Sequence, residues 1–234
     1  MSRLAIDIGG TFTDLVLFDE KNGKLEAFKS LSTPSDPSVG VLNTINLSGI
    51  DISNIDFFVH GGTTVINAIT ERKGVKTALI TTLGFRDVLE IMRGNRPDMY
   101  NLKAKKPSPF VERQLRFEIN ERISSEGENL VPLDLKALDN IIVSCKQNKV
   151  EAIAIQFMHS YLVTENEKKC AEYLKNKIPN VSITISSDIT REWREFERAN
   201  TAVLNAYVQP IVLKYFKNLE KKLRELGLNC NFTA

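Results

Sequence analysis

Residues 6–14 read Ile6-Asp7-Ile8-Gly9-Gly10-Thr11-Phe12-Thr13-Asp14, between the apolar start Leu4-Ala5 and the apolar run Leu15-Val16-Leu17-Phe18. An acidic residue closes a short strand, two glycines turn the chain, hydroxyls follow, and a second strand leaves. Glycines let phosphate oxygens approach backbone N–H groups, and Thr11 and Thr13 can donate further hydrogen bonds, so the pattern predicts a phosphate-binding hairpin. Asp7 repels phosphate directly but can hold Mg²⁺ or its waters against one. The plainer alternative is a hairpin whose Gly-Gly pair only supplies positive φ. The Asp, Thr, Thr and Asp crowded around the turn favour the phosphate reading. Asp14 has two readings: a metal or water ligand facing the phosphates, or a turn residue capping backbone N–H groups.

Outward from this hairpin, strand-like patterning occupies residues 4–8, 15–19, 25–30, 57–60 and 77–81, with a tight turn at Lys21-Asn22-Gly23-Lys24. Helices are predicted over 38–46 and 64–73, the second ended by Gly74. The first stretch is therefore a three-stranded antiparallel meander followed by alternating helix and strand. Residues 93–133 are irregular, with Pro97, Pro107, Pro109 and Pro132 and one strand at 116–121. Alternation resumes with a helix at 134–149, a strand at 152–157, a helix at 165–177 and a strand at 181–186; Thr164 and Glu167 have capping-box spacing. From 191 to 226 apolar residues recur every three or four positions, which predicts a long amphipathic helix kinked or broken at Pro210.

Composition narrows the function. The chain has 234 residues, 42% hydrophobic and 26% charged, with a formal charge of +2. That balance offers no strong field for nucleic acid or membrane, and no apolar run approaches the roughly 20 residues of a membrane span. The start shows no signal-peptide pattern. Cys145, Cys170 and Cys230 are odd in number and dispersed, as expected of thiols in a reducing, cytoplasmic setting. Only His60 and His159 are present, too few for a self-contained zinc site.

The second group of candidate residues is His60-Gly61-Gly62-Thr63-Thr64, which ends a strand and opens a helix. Free N–H groups and hydroxyls there suit a phosphate or a phosphorylated substrate; the alternative is that Thr63 simply caps the helix. Asn67 lies on the same helix entrance. His60 is a candidate acid or base, or else a satisfied structural group. Arg86, Asp87, Arg93 and Arg96 surround two glycine turns, an arrangement suited to carboxylate or phosphate recognition or to surface ion pairs. His159, Trp193, Glu195 and Arg198 read as packing or interface residues.

The 6–14 segment resembles the first phosphate motif of the actin, sugar-kinase and Hsp70 superfamily. The block from His60 through Arg96 is more specific and resembles the hydantoinase A/5-oxoprolinase family, which includes ATP-using subunits of ketone carboxylases. Similar signatures recur at Gln156-Phe157-Met158-His159-Ser160-Tyr161 and from Arg191 through Tyr207, so the resemblance covers essentially the whole chain. It implies an α/β fold: an RNase H-like half-domain (1–92), an excursion with an α/β subdomain (93–187), and a long C-terminal helix (188–234) leading to a second ATP-binding domain. It implies ATP and Mg²⁺ as cofactors, Gly9, Gly10, Thr11 and Thr13 on the nucleotide, Asp7 on the metal, and Asp7, Asp14 and His60 as catalytic. Thr63, Thr64, Asn67, Arg93 and Arg96 fall on the substrate side. Relatives usually read His-Gly-Thr-Thr, and Gly62 shifts the hydroxyls here by one.

The activity implied is ATP-dependent hydrolysis of a cyclic amide such as hydantoin or 5-oxoproline, with a hydantoinase B-like partner subunit or domain. A ketone carboxylase subunit and a sugar or acyl kinase are the alternatives, and an ATP-driven switch of the activase kind is a further one. No second phosphate loop or adenosine motif is visible, so the expectation is an N-terminal piece or split subunit, inactive alone and prone to self-association through its long helix. Motifs for a P-loop, a serine hydrolase elbow or a zinc protease do not occur.

Overall fold

A computed structural model describes residues 1–33, 36–94 and 98–234. The chain divides into two compact units, Met1–Lys73 with Ile211–Ala234, and Gly74–Pro210. The sequence-based boundaries at 92/93 and 187/188 follow composition. The compact units divide elsewhere because the strand at 77–82 pairs with later strands of the second unit.

In the first unit β1 (Ser2–Ile8), β2 (Phe12–Asp19) and β3 (Lys24–Leu31) form the expected antiparallel meander, with Ile6 opposite Leu15 and Asp7 opposite Asp14. Alternation sorts the faces: Leu4, Ile6, Ile8 and Leu15 enter a core with Val41 and Ile45, while Ala5 and Asp7 remain exposed. Helix α1 (Pro37–Ser48) starts where Asp36 caps the Ser38 N–H at 3.0 Å and stops at Gly49 in the left-handed conformation. Strand β4 (Phe57–Gly62) then pairs parallel to β1 and leads into α2 (Thr64–Thr70).

The second unit holds β5 (Thr77–Thr82), α3 (Val88–Ile91), β6 (Arg116–Ile119), the hairpin β7 (Arg122–Ile123) and β8 (Asn129–Val131), α4 (Ala137–Gln147), β9 (Ala152–Gln156), α5 (Glu165–Lys177), β10 (Ser182–Ile185) and α6 (Ser186–Ile189). Its parallel sheet runs β10-β9-β5-β6. The two central strands are buried at every position, as in parallel sheets covered on both faces, with Thr77, Thr81, Thr82 and Gln156 as buried polar residues among the apolar ones. Helix α7 (Glu195–Glu225) contributes Ala199, Ala202, Val203 and Ala206 to this unit's core, and beyond Pro210 it contributes Tyr215, Leu219 and Leu223 to the first unit's. Strand β11 (Phe232–Thr233) pairs parallel with β4, giving the first sheet the order β11-β4-β1-β2-β3.

Four local expectations fail for identifiable reasons. Of the kink or break expected at Pro210, the break is absent: the helix runs through the proline. Helix α2 stops at Thr70, short of Gly74. Gly74 is glycine for space: a Cβ there would fall 2.1–2.4 Å from the Tyr207 ring. Thr164 and Glu167 form no capping box. Thr164 makes no side-chain cap, and Glu167 turns inward to the Phe157 N–H and to Ser186 and Ser187. Finally, the 116–121 strand ends at Ile119, with Arg122–Ile123 in a separate hairpin.

Candidate functional site

The β1–β2 turn is closed by the Gly9 N–H donating to the Phe12 carbonyl at 2.9 Å. It is braced from the end of β3, where the Ser32 N–H donates to Thr11 at 2.8 Å and the Ser32 hydroxyl to the Gly9 carbonyl at 2.8 Å. Neither Gly9 nor Gly10 adopts positive φ. A Cβ on Gly9 would stand 3.2 Å from the Phe12 oxygen, whereas one on Gly10 would meet nothing within 4 Å. Backbone conformation and packing therefore do not explain Gly10, which is exposed along with Thr11.

This turn forms one wall of a cleft of about 500 Å³ at the C-terminal ends of the parallel strands β1 and β4, where open α/β sheets place ligands. Gly9 and Gly10 line it together with Thr63, Thr64 and Asn67, Ser32 and Thr33, Pro37, and Ile211 and Tyr215 of α7. Two segments singled out 50 residues apart thus meet on one cleft. Ser32, Thr33, Pro37 and Tyr215 were missed by the sequence reading. Tyr215 sits on the apolar stripe of an amphipathic helix and reads as core; Ser32 and Thr33 belong to no spaced motif. A larger, shallower depression of about 830 Å³ in the second unit is lined by Arg86, Arg113 and Arg116 among others. Arg113 pairs there with Asp87 at 2.9 Å and Arg116 with Glu90 at 3.1 Å, so most of its charge is internally satisfied.

Asp7 and Asp14 lie opposite each other on the outward face of the sheet. Asp7 is exposed, and Gly61, its register partner on β4, leaves it room, since a Cβ there would stand 3.2 Å from Oδ1. Gly62 continues β4 opposite Ile8. Asp14 is ion-paired to Lys29 at 3.0 Å, whose ammonium stands 5.1 Å from the Phe12 ring centroid. Among the described residues no three His, Cys, Asp or Glu side chains cluster as a metal cage. Asp7 is not itself a lining residue of the cleft but stands two residues before Gly9, which is. Mg²⁺ is commonly held by one or two carboxylates plus phosphates and waters, and a single exposed carboxylate is compatible with that ion.

Two predicted site residues turn out to belong to the core. Thr13 is fully buried, and its hydroxyl shares a 3.0 Å hydrogen bond with Ser32 and lies against Gly40, so it does not reach a guest. His60 is 4% exposed; Nδ1 meets the Ile6 carbonyl at 3.1 Å and Nε2 meets the Tyr215 hydroxyl at 2.8 Å. Burial pushes its pKa down, and with both nitrogens engaged it is no free acid or base. Both follow strand alternation toward the apolar face. At the mouth of α2 Thr63 makes no helix cap; its hydroxyl is 3.4 Å from the Ile8 carbonyl and accepts from Asn67 at 3.2 Å. Arg93 belongs to the second unit and is ion-paired with Glu197. Arg96 lies outside the described residues. Arg198 is fully buried, donating to the Glu192 and Phe157 carbonyls at 2.7 Å, which makes it a packing residue.

Residues 3–178 match the family model for the hydantoinase/oxoprolinase N-terminal region. The chain belongs to that family. It is 40% identical over 98% of its length to an uncharacterized protein of Methanocaldococcus jannaschii, covering 34% of that protein. It is 33% identical over 96% of its length to the caprolactamase subunit alpha of Pseudomonas jessenii, again covering 34%. The crystal structure of the ATP-dependent caprolactamase from that organism superposes with a TM-score of 0.87 at 32% identity, over 98% of this chain and 35% of that one. Nucleotide-free acetone carboxylase shares the fold, with a TM-score of 0.84 at 24% identity over 96% of this chain and 34% of that one. The chain thus spans about a third of the length of the relatives it matches. As a hydantoinase/oxoprolinase N-terminal region it has their mixed α/β fold, and among its described residues no helix is long and apolar enough to cross a membrane.

Proposed function

We propose that this chain is the ATP-binding N-terminal part of an ATP-dependent cyclic amide hydrolase of the hydantoinase/oxoprolinase type. One observation carries the reading: Gly10, which neither φ nor any neighbour requires to be glycine, lines one cleft with Gly9, Thr63, Thr64 and Asn67. The sheet order β3-β2-β1-β4-β11, with β1–β3 an antiparallel meander, β4 parallel to β1 and β11 parallel to β4, supports assigning the first unit as an RNase H-like half-domain. In that role the Gly10 and Thr11 backbone N–H groups receive phosphate oxygens, the Gly9 N–H being spent on the Phe12 carbonyl, and Asp7 holds Mg²⁺ or its waters. Thr63, Thr64 and Asn67 hold the acceptor substrate across the cleft. Bound ATP supplies the phosphoryl group that makes a carbonyl oxygen a leaving group. Phosphoryl transfer requires a grip on both sides of the phosphates, and this chain offers one. The remainder comes from a further domain and a hydantoinase B-like partner, a reading that the subunit naming of the caprolactamase relative supports.

The test is a titration of the purified chain with Mg-ATP followed by backbone amide NMR. Gly9, Gly10 and Thr11 shift, with weak affinity, and Gly10→Val weakens binding by about tenfold or more at unchanged melting temperature. Equal binding by Gly10→Val, or shifts confined to other residues, overturns the reading. The chain alone shows negligible ATP-dependent turnover of hydantoin or 5-oxoproline; robust turnover without a partner refutes the missing second grip.

A further inference from the structure

With the cleft read as the nucleotide and substrate site, a reading on which this inference rests, the hydrogen positions at its wall follow from the groups that meet there. The Ile6 carbonyl oxygen can only accept, so His60 Nδ1, 3.1 Å away, carries a proton. The ring is almost wholly buried among Phe216, Phe232 and Tyr215 and is therefore neutral. Its Nε2 is then bare and accepts the Tyr215 O–H at 2.8 Å. A phenol has one hydrogen, and His60 takes it, leaving the Tyr215 oxygen with acceptor capacity only. The Thr63 hydroxyl is in the same condition: its hydrogen goes to Ile8, and it accepts from Asn67. Tyr215 and Thr63 are both lining residues of the cleft, and the hydroxyl hydrogen of each is committed within the chain, which leaves each oxygen able only to accept.

We propose that Tyr215 is a specificity-determining residue of this cleft: its hydroxyl, committed to His60, selects a guest group that carries an N–H or O–H and disfavours one that does not. His60 acts through Tyr215 and is a positioning residue, fixed in one tautomer by Ile6. The donor has two chemical sources, the ring N–H of a secondary cyclic amide or a ribose hydroxyl of the nucleotide. A site that hydrogen-bonds a donor discriminates against an analogue lacking it because its own polar group is left unpaired.

The experiment titrates the purified chain, with Mg²⁺ present, with two ligand pairs observed by NMR. One pair is 2-pyrrolidinone and N-methyl-2-pyrrolidinone, the other ADP and 2′,3′-dideoxy-ADP. The donor-lacking member of one pair binds about tenfold more weakly, and Tyr215→Phe abolishes that difference; which pair responds identifies the source. Discrimination in neither pair overturns the proposal, and discrimination unchanged in Tyr215→Phe removes Tyr215 as its cause. If Tyr215→Phe fails to fold, the wild-type chain must show a nuclear Overhauser contact between the discriminated guest and the Tyr215 ring; its absence overturns the assignment. ADP that leaves Gly9 and Gly10 unmoved, alongside discriminated lactams, defeats the phosphate reading while the Tyr215 assignment stands.

Discussion

Two carboxylates show how differently the two units use polar side chains. In the second unit Glu167 is fully buried and accepts four hydrogen bonds, from the Phe157 and Ser187 N–H groups at 3.0 Å and from the Ser186 and Ser187 hydroxyls at 2.6 and 2.7 Å. In the first unit Asp7 is exposed near the end of its strand, given room by a glycine, and no described residue forms an ion pair with it. Asp7 lies in a stretch that carries the family resemblance, and Glu167 accepts from the Phe157 N–H within another. A motif residue whose polar atoms are all satisfied within the chain serves the fold; one with unspent capacity at a cleft is available to a ligand. By that criterion the buried network around Glu167 serves the second unit's fold, and the 6–14 and 60–67 segments hold the candidate site.

The largest effect is expected at Glu167. Replacing it with alanine strands two buried serine hydroxyls, two N–H groups and the positive charge of Arg198, and costs about 3–5 kcal/mol in urea unfolding. A loss below about 1 kcal/mol would show that the network is not holding the unit together. Gly74→Ala comes next: the new methyl displaces the Tyr207 ring, which packs edge-on to Phe110 at 5.1 Å. Overpacking of this kind costs about 1–3 kcal/mol, read as a lower melting temperature.

Glu121 sharpens the contrast through pH. Burial raises its carboxyl pKa, against the opposing hydrogen bonds from Thr82 and Asn166. With the folded pKa above the unfolded value near 4.5, the native state holds the proton more tightly. The stability this contributes is fully present below the unfolded pKa and is lost as pH rises through the folded one. Urea unfolding across that window should show the decline in the wild type and a flatter profile in Glu121→Gln. The smallest effect belongs to the open sheet face, where Lys29→Met removes the ion pair to Asp14 and changes stability by under about 1 kcal/mol. A larger change would place Lys29 with the buried network instead.

Much of the fold was legible because its signals are local. Period-two alternation gave the meander and the inward face of Leu4, Ile6 and Ile8, and the apolar run Ala152–Gln156 gave a buried central strand. The failures were tertiary. Glu167 has capping-box spacing but finds Ser186 and Ser187, about 20 residues onward, and Gly74 follows a helix but answers to an aromatic ring 133 residues away. The candidate site divides along the same line. Gly9, Gly10, Thr63, Thr64 and Asn67 were found from their types and order, and they converge on the cleft. Thr13 and His60 were chosen for their chemistry, but strand parity carries their side chains to the core.

By itself the sequence determined the chemistry available: a glycine turn after an acidic strand end, hydroxyls at a helix entrance, and a long amphipathic helix. These depend on neighbours a few residues apart, whose geometry the backbone imposes directly. Only the tertiary structure decided which of those groups keep free hydrogen-bonding capacity. Tyr215 reaches His60 from 155 residues away, and that bond commits the hydroxyl hydrogen of a residue that also lines the cleft. A hydrogen bond's partner is set by where distant segments pack, and nothing in the local pattern around His60 or Tyr215 specifies it.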